Sequence, residues 1–193
     1  MTENTLPFPT LSEAAFPAAG RTARLAEALV MSAVIALGAQ LEVLLPFTPV
    51  PLTGHTFGVL LAGVLLGSRW GALSAACYLL EGAVGLPVFA GGGAGALVFA
   101  GPTGGYLVGF LPAAWLAGTL AERGWDRSPL TAGAAMLIGS SAIFACGLLN
   151  LARFVPASGL LAAGLWPFLP GDLLKAALAA AALPGAWRLL GRR

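Results

Sequence analysis

Long uninterrupted runs of apolar residues, rather than alternating ones, set the pattern of this chain. Four runs have the length of a membrane-spanning helix, which is about 17–25 residues; they cover residues 25–45, 105–121, 129–149 and 172–190. No stretch shows the period-two alternation that the strands of a membrane barrel need. The pattern therefore predicts an all-α protein.

Two shorter runs, residues 55–67 and 72–85, stand on either side of the turn sequence GSRWG. Each is too short to span hydrocarbon alone, so we expect a tight helical hairpin whose ends are sheltered by neighbours. With this pair the chain has six predicted transmembrane helices. Residues 86–105 form a glycine-rich loop that is too long for a simple turn. Residues 152–171 are expected to hold a short interfacial helix, with Trp166 near the lipid headgroups.

Composition places these helices in a lipid bilayer. Hydrophobic residues make up 58% of the chain, there are 27 glycines, and only 9% of residues are charged, whereas soluble domains carry roughly 25% charged residues. So little charge cannot coat so much apolar surface, which excludes a soluble globular protein and a disordered one. The net charge of +2 comes from scattered residues, so no basic stripe exists for nucleic acid.

Several kinds of site are excluded by the motifs that the sequence lacks. Cys77 and Cys146 lie inside apolar runs without neighbours at ligand spacing, so neither a disulfide framework nor a metal site is expected. The segment GGGAGA at residues 91–96 has the letters of a dinucleotide motif but lacks a preceding strand and a following acidic residue. No Walker A sequence occurs, so the chain has no ATPase of its own. We expect no cofactor.

The basic residues predict the orientation of the helices. With a cytoplasmic N-terminus and six helices, eight arginines fall on the inner side and one on the outer side, which follows the positive-inside rule. The inner set is Arg21, Arg24, Arg69, Arg123, Arg127, Arg188, Arg192 and Arg193, and the outer residue is Arg153. Both termini are then cytoplasmic in a multi-pass protein of the cell membrane. Residues 1–20 are interpreted as a cytoplasmic lead and residues 21–193 as the membrane domain.

The sequence PGDLLKAAL contains the most informative polar pair, Asp172 and Lys175. Their i, i+3 spacing places them on one helix face, and Pro170 and Gly171 put Asp172 among the free N–H groups of a helix start. A lone charge inside a membrane costs roughly 2.5–3.5 kcal/mol, so both side chains should face inward. They could form an ion pair that only locks the helix. The favoured interpretation is a polar site at the bottom of a ligand pocket near the outer face.

Other polar residues are candidates for the pocket or for helix packing. Asn150 suits either a hydrogen bond between helices or a ligand contact, and both interpretations stay open. For Glu81 a neutral or helix-pairing role is favoured, with Lys175 as one candidate partner. His55, the sole histidine, is expected to line the pocket by hydrogen bonding rather than to act in catalysis. The sequence GPTGGYLVGF could line a pocket with its amides and two polar side chains, Thr103 and Tyr106.

Small residues recur at helical spacing in two predicted helices, where they would let helices approach closely. One stripe is Gly105, Gly109, Ala113, Ala117 and Ala121; the other is Ala28, Ser32 and Ala36. For the first stripe we favour packing within the chain. For the second, packing and contact with a partner protein are equally open.

Three ordered blocks, together with PGDLLK in the last helix, resemble the BioY family, the biotin-specific substrate-binding (S) components of energy-coupling factor (ECF) vitamin transporters. The blocks are VPLTGHT with LLAGVLLG, then GLPVFAGG, then GPTGGYLVGF, and the resemblance runs from about residue 28 to the end of the last helix. It implies six helices, a biotin site that opens outward, and as partners a transmembrane coupling protein and two ATP-binding cassette ATPases. Some similar proteins occur without these partners, so a solitary biotin transporter stays an alternative.

The resemblance also implies roles for residues. Asp172 and Lys175 match its polar ligands, and His55 stands where the family often has glutamine, which can hydrogen-bond as well. The pocket wall and lid are matched by the block at residues 101–106, with Thr103 and Tyr106, and by the GLPVFAGG loop, with Phe89 and Gly91. The small residues Ala28, Ser32 and Ala36 map to the contact with the coupling protein. We expect Asp172 and Asn150 to bind the ureido group of biotin and Lys175 its carboxylate, although the two charges could be exchanged.

Two functions of other classes compete with transport by an S component. An intramembrane enzyme would use Asp172, Glu81 and His55 as acid–base or metal-binding groups, and would need all three to converge. A channel would need a continuous polar path, which the few polar residues make improbable.

Overall fold

Helices make up most of the fold. The computed structural model describes residues 8–191. Its elements are α1 (Leu11–Ala15), α2 (Arg21–Gln40), β1 (Glu42–Val43), β2 (Leu52–Thr53), α3 (His55–Ala83), α4 (Gly104–Ala121), α5 (Pro129–Leu151), α6 (Leu160–Gly164) and α7 (Leu169–Leu189). Four of these helices, α2 to α5, are long and apolar enough to cross a membrane. Because α3 folds back on itself, the bundle has six long helical rods, and the predicted all-α fold is confirmed.

The hairpin in α3 turns at a single residue, Gly67. Its φ of 86° and ψ of 177° are not helical and lie in a region that glycine alone adopts readily. Residues 55–66 and 68–83 form two antiparallel arms. A Cβ added to Gly71 would lie only 2.5 Å from the Cα of Gly63, whereas eight residues of straight helix span about 12 Å. The chain must therefore reverse its direction between these two glycines. The predicted hairpin is confirmed, with a tighter turn: its second arm begins at Ser68, not at residue 72.

The side chain of Glu122 caps the start of this second arm. A helix leaves its first backbone N–H groups without partners. The Oε1 atom of Glu122 accepts hydrogen bonds from the backbone N–H of Ser68 at 2.7 Å and from its hydroxyl at 2.9 Å. The carboxylate is buried, and its negative charge is favourable at the positive end of the helix. Since Glu122 follows the last residue of α4, this contact fastens α4 to the turn of the hairpin.

The central helix is α4, which packs on both α3 and α5. The alanines of its predicted stripe have no exposed surface: Ala113, Ala117 and Ala121. A Cβ on Gly105 or Gly109 would collide with the backbone of α5, so these glycines allow the two helices to touch. The predicted packing of this stripe within the chain is confirmed.

The small residues of α2 face α3. Ala28 and Ser32 are each 1% exposed, and the Ser32 hydroxyl donates to Oε1 of Glu81 at 2.8 Å. Ala36 is half-buried against the same core. Ala28 and Ser32 therefore pack within the chain, which leaves no exposed surface at these two positions for the partner contact expected of the stripe.

The helix bounds differ from the predicted ones mainly at the ends of α2 and α7. Helix α2 covers residues 21–40 instead of 25–45, because the chain then enters a two-stranded ladder in which Glu42 pairs with Thr53. Helix α7 starts at Leu169 rather than at residue 172, with Pro170 in its first turn, where proline is tolerated. The short helix expected within residues 152–171 is α6.

The lead before Arg21 contains ordered structure. Helix α1 is closed by a capping box in which the Thr10 side chain accepts from the backbone N–H of Glu13 and the Glu13 side chain accepts from that of Thr10. Leu11 and Ala14 are buried and belong to the main hydrophobic core. This segment therefore packs on the bundle.

The two ends of the bundle differ in charge. The turn end contains Gly67, the start of α2 and the last residues of α4 and α7; the mouth end contains the loops at residues 41–54 and 84–103. The arginines at or beside the turn end are Arg21, Arg24, Arg69, Arg123, Arg127 and Arg188. Among the described arginines, only Arg153 lies at the mouth end, just after α5. Arg192 and Arg193, which the prediction also counted, lie outside the described residues.

A cluster of aromatic and charged side chains around the buried Trp187 closes the turn end. The indole Nε1 of Trp187 donates to Oδ2 of Asp126 at 2.6 Å. The guanidinium of Arg127 stacks 4.4 Å from the Trp187 ring centre and 4.7 Å from that of Phe8. These contacts join the end of α7 to the connection between α4 and α5.

We predict that Gly67→Ala destabilises the protein by about 1–3 kcal/mol. Alanine would have to adopt the conformation of Gly67, and its Cβ would lie 2.7 Å from Oε1 of Glu122. Thermal unfolding in detergent measures the effect. Gly185→Ala is the matched control, since a Cβ there meets no atom within 4 Å. Equal melting temperatures for the two variants would contradict the strained turn.

Candidate functional site

A cavity of about 630 Å³ opens at the mouth end of the bundle. Its walls come from the loop at residues 41–54, the start of α3, the loop after α3, and parts of α4, α5 and α7. Seven of the residues expected at the site line it: His55, Phe89, Gly91, Thr103, Tyr106, Asp172 and Lys175. The cavity therefore brings together residues that are up to 120 positions apart in sequence.

Lys175 is held by three hydrogen bonds inside the cavity. Its Nζ donates to the backbone carbonyl of Thr53 at 3.0 Å, to Oγ1 of Thr56 at 2.6 Å and to Oδ1 of Asp172 at 3.3 Å. An ammonium group has three protons, so the protein itself uses all of them. Lys175 thereby links α7 to β2 and to the first turn of α3.

Asp172 keeps a free acceptor. One carboxylate oxygen accepts from Lys175, and the other has no hydrogen bond within the described residues. The side chain is only 8% exposed and lines the cavity. Its place in the first turn of α7 adds the favourable field of the helix N-terminus. Together, the positive charge of Lys175 and this field keep a carboxylate available to hydrogen-bond donors in an apolar bundle.

Aromatic rings form much of the cavity wall. The His55 ring packs edge-on against Phe110, with 4.7 Å between ring centres, and Phe89 packs against Phe99 at 5.7 Å. On the other side, the Tyr106 hydroxyl donates to the carbonyl of Gly164 at 2.8 Å. That bond orients the Tyr106 ring and ties α4 to α6, so this hydroxyl serves the scaffold.

Asn150 is not among the residues that line the cavity. Its amide nitrogen donates to the carbonyl of Gly101 at 2.9 Å, and its oxygen is 3.5 Å from the guanidinium of Arg153. Of the two interpretations left open, the structure has the hydrogen bond between segments: Asn150 holds the turn that leads into α4.

Glu81 is also separate from the cavity. Its carboxylate accepts from Ser32 on α2, which is the helix-pairing arrangement, whereas Lys175 contacts Asp172 and the two threonines. Asp172, Glu81 and His55 therefore do not converge into the catalytic group that an intramembrane enzyme would need.

Several residues of the cavity were not predicted from the sequence. Thr56 and the carbonyl of Thr53 complete the partners of Lys175, and Phe144 and Phe168 extend the apolar wall. Glu42 reaches the glycine-rich loop, where a Cβ on Gly91 would lie 2.9 Å from its Oε1. The one signal for Glu42 was a lone charge within the apolar sequence LEVLLP. Thr53 and Thr56 lie in the block VPLTGHT, which carries the resemblance, but that block does not show that they are partners of Lys175.

Taken together, these features define a class of protein. Apolar helices enclose a cavity that is open at one end, mostly apolar, and equipped with a few fixed polar groups, which is how proteins bind small amphipathic molecules. The structure is that of a helical membrane protein whose cavity suits a small molecule.

Comparison with known proteins gives the family. A model of the BioY family matches residues 9–192. The biotin transporter BioY of Rhizobium etli is 40% identical over 162 residues, which cover 79% of this chain and 86% of that protein. The biotin transporter BioY of Thermotoga maritima is 40% identical over 158 residues, which cover 81% of this chain and 91% of that protein. The chain belongs to the BioY family.

A solved structure agrees with this assignment. The S-component for biotin from an ECF-type ABC transporter superposes with a TM-score of 0.76 at 29% sequence identity, covering 90% of this chain and 93% of the other. The predicted resemblance is confirmed. These relatives are transport proteins, so the alternative of an intramembrane enzyme is set aside.

We predict that Asn150→Ala lowers the melting temperature by roughly 2–4 °C, because it removes a hydrogen bond worth about 1 kcal/mol. Thermal unfolding in detergent measures this loss. Leu149→Ala is the control, since Leu149 is 78% exposed on the neighbouring face of α5 and should change stability less. An unchanged melting temperature in Asn150→Ala would argue against a structural role for the amide.

Proposed function

We propose that this protein binds biotin at the cavity and supports its uptake into the cell together with a transmembrane coupling protein and two ATP-binding cassette ATPases. The proposal is supported by the family, by the names of its relatives, and by the chemistry of the cavity. The observation that carries it is the Asp172–Lys175 pair, which supplies fixed polar groups in an otherwise apolar pocket.

Biotin matches the cavity in its distribution of polar groups. Its ureido group has two N–H donors and one carbonyl, its tail ends in a carboxylate, and the thioether ring and methylene chain between them are apolar. The aromatic wall suits the apolar part. The free oxygen of Asp172 suits an N–H donor of the ureido group, and a charged acceptor makes such hydrogen bonds stronger than a neutral one does.

We assign Asp172 to the ureido group and Lys175 to holding the site together. Lys175 already donates to Thr53, Thr56 and Asp172, so binding a ligand carboxylate would require one of these bonds to break. This differs from the expectation that Lys175 pairs with the biotin carboxylate. Asn150 takes no part in this assignment because its amide is bonded to Gly101.

We predict that Asp172→Asn and Lys175→Ala each lower biotin affinity at least tenfold, which corresponds to about 1.4 kcal/mol. The first variant loses the charged acceptor, and the second leaves a buried carboxylate without its cation, which is costly. Calorimetry on the purified protein measures both affinities. Glu81→Gln is the control: it keeps an acceptor for Ser32, lies outside the cavity, and should bind biotin as the unaltered protein does.

Biotin methyl ester separates the two assignments of Lys175. If Lys175 pairs with the carboxylate, biotin should bind more tightly than its ester, and Lys175→Ala should abolish that difference. On our assignment the ratio of the two affinities is the same in Lys175→Ala as in the unaltered protein. Normal biotin binding by both Asp172→Asn and Lys175→Ala would contradict the proposed site as a whole.

We also propose that the turn end faces the cytoplasm. Most of the described arginines are found there, as the positive-inside rule requires of cytoplasmic loops. Both termini would then be cytoplasmic, and the cavity would open to the outside of the cell membrane.

The surface that we assign to the coupling protein is the open side of α2. Val30 is 62% and Leu37 is 70% exposed, whereas Ala28 and Ser32 on the opposite side are buried. An apolar groove of about 1090 Å³ continues this surface at the turn end, between α1, α2 and the last residues of α7. The chain has no Walker A sequence, so energy from ATP would have to come from partner proteins.

We predict that Val30→Trp lowers co-purification of the coupling protein severalfold while biotin affinity stays the same, because the added ring obstructs the open side of α2. Leu149→Trp on α5, which is equally open to lipid, is the control.

Uptake of labelled biotin into vesicles, with and without the coupling protein and ATPases, tests the dependence on partners. Full uptake by this chain alone would favour the solitary transporter.

A further inference from the structure

Two buried polar atoms of the aromatic wall have no hydrogen-bond partner among the described residues. They are Nδ1 of His55 and the hydroxyl oxygen of Tyr78. The Tyr78 side chain has no exposed surface. Buried polar groups are paired in the great majority of folded proteins, either with each other or with an ordered water, so two unpaired ones in one cluster need an explanation.

The hairpin of α3 brings these two residues together. His55 is the first residue of the first arm, and Tyr78 lies in the second arm, which returns past it after the turn at Gly67. Their ring centres are 6.3 Å apart, with 63° between the ring planes. Phe89 and Phe110 pack against the same rings and offer no polar atom.

The two atoms can form a hydrogen bond with each other. A neutral histidine has one ring nitrogen that donates and one that accepts. With the ring centres 6.3 Å apart, the Tyr78 hydroxyl can donate to Nδ1 once the two rings turn toward each other. If Nδ1 accepts, the proton of the ring must be on Nε2. With Nδ1 sealed in the wall, Nε2 is the nitrogen of His55 that can reach a molecule in the cavity.

We propose that Tyr78 is a positioning residue that sets the tautomer of His55. By occupying Nδ1, its hydroxyl makes His55 present an N–H group to the cavity, where it donates to an oxygen of the ligand. The identity of that oxygen rests on the proposed function: for biotin, the ureido carbonyl would accept from His55 while Asp172 accepts from the ureido N–H groups. The tautomer itself does not depend on biotin.

Nitrogen NMR on ring-¹⁵N-labelled histidine tests the tautomer directly. His55 is the only histidine of the chain, so protein carrying a purification tag without histidine gives signals from this ring alone. Without ligand, we expect a protonated Nε2 and an unprotonated Nδ1 shifted by a hydrogen bond. In Tyr78→Phe, the hydrogen-bond shift of Nδ1 should disappear and the Nδ1–H tautomer should become populated.

A proton on Nδ1 or on both nitrogens of the unaltered protein would overturn the proposal, and this measurement needs no variant to fold. An unchanged Nδ1 signal in Tyr78→Phe would overturn it as well. If the expected tautomer is found but biotin does not bind, the proposed function fails and the tautomer assignment stands.

A double-mutant cycle tests the effect on binding. Tyr78→Phe should weaken biotin binding roughly three- to tenfold, which is the range for one hydrogen bond. His55→Gln supplies an amide donor whose orientation does not depend on a ring tautomer, so adding Tyr78→Phe to it should change affinity by less than twofold. Equal losses in the two backgrounds would indicate that Tyr78 only packs, and would overturn its positioning role.

Discussion

The burial of one charged pair in an apolar bundle is the constraint on which the binding site depends. A lysine in the membrane is tolerated only when its protons have partners, and Lys175 obtains them from Asp172, Thr56 and the carbonyl of Thr53. These partners belong to α7, α3 and β2. The requirement to satisfy one ammonium group therefore fixes the relative positions of the segments that enclose the cavity, and it leaves Asp172 with an oxygen for a ligand.

A second constraint is the length of the two arms of α3, which run between the mouth end and the turn at Gly67. Each arm of α3 is shorter than a usual membrane span, so the arms need close neighbours along their whole length. Glycines at the contacts between the arms and with α4 allow this closeness. At the turn, the carboxylate of Glu122 accepts a hydrogen bond from the backbone N–H of Ser68, which has no partner within its own helix. The same hairpin brings Tyr78 beside His55, so the packing of small residues determines which polar groups line the pocket.

Long apolar runs predict the six helices and the hairpin, and isolated polar residues indicate five of those that line the cavity: His55, Thr103, Tyr106, Asp172 and Lys175. For Phe89 and Gly91 the sequence offered only the resemblance to the BioY family. It did not predict that Gly67 alone makes the turn, since a positive φ has no signature apart from glycine itself. The partners Thr53 and Thr56 lie about 120 residues before Lys175 and cannot be found by local spacing. Ala28, Ser32 and Asn150 show the same limit: a small or polar residue does not reveal which surface it meets.

The connection between β1 and β2 differs from the opposite end of the molecule because it is a non-helical segment. Two pairs of residues form its ladder, and Lys175 adds one bond to Thr53. The Thr48 hydroxyl also donates to the carbonyl of Ala163, and Val50 packs into the core. At the opposite end, the side chains of Glu122, Asp126 and Trp187 join helices to one another directly. Displacing this segment would break these contacts without unwinding any helix. The mouth of the cavity is thus bordered by one short peptide whose contacts are separate from the hydrogen bonds within the helices.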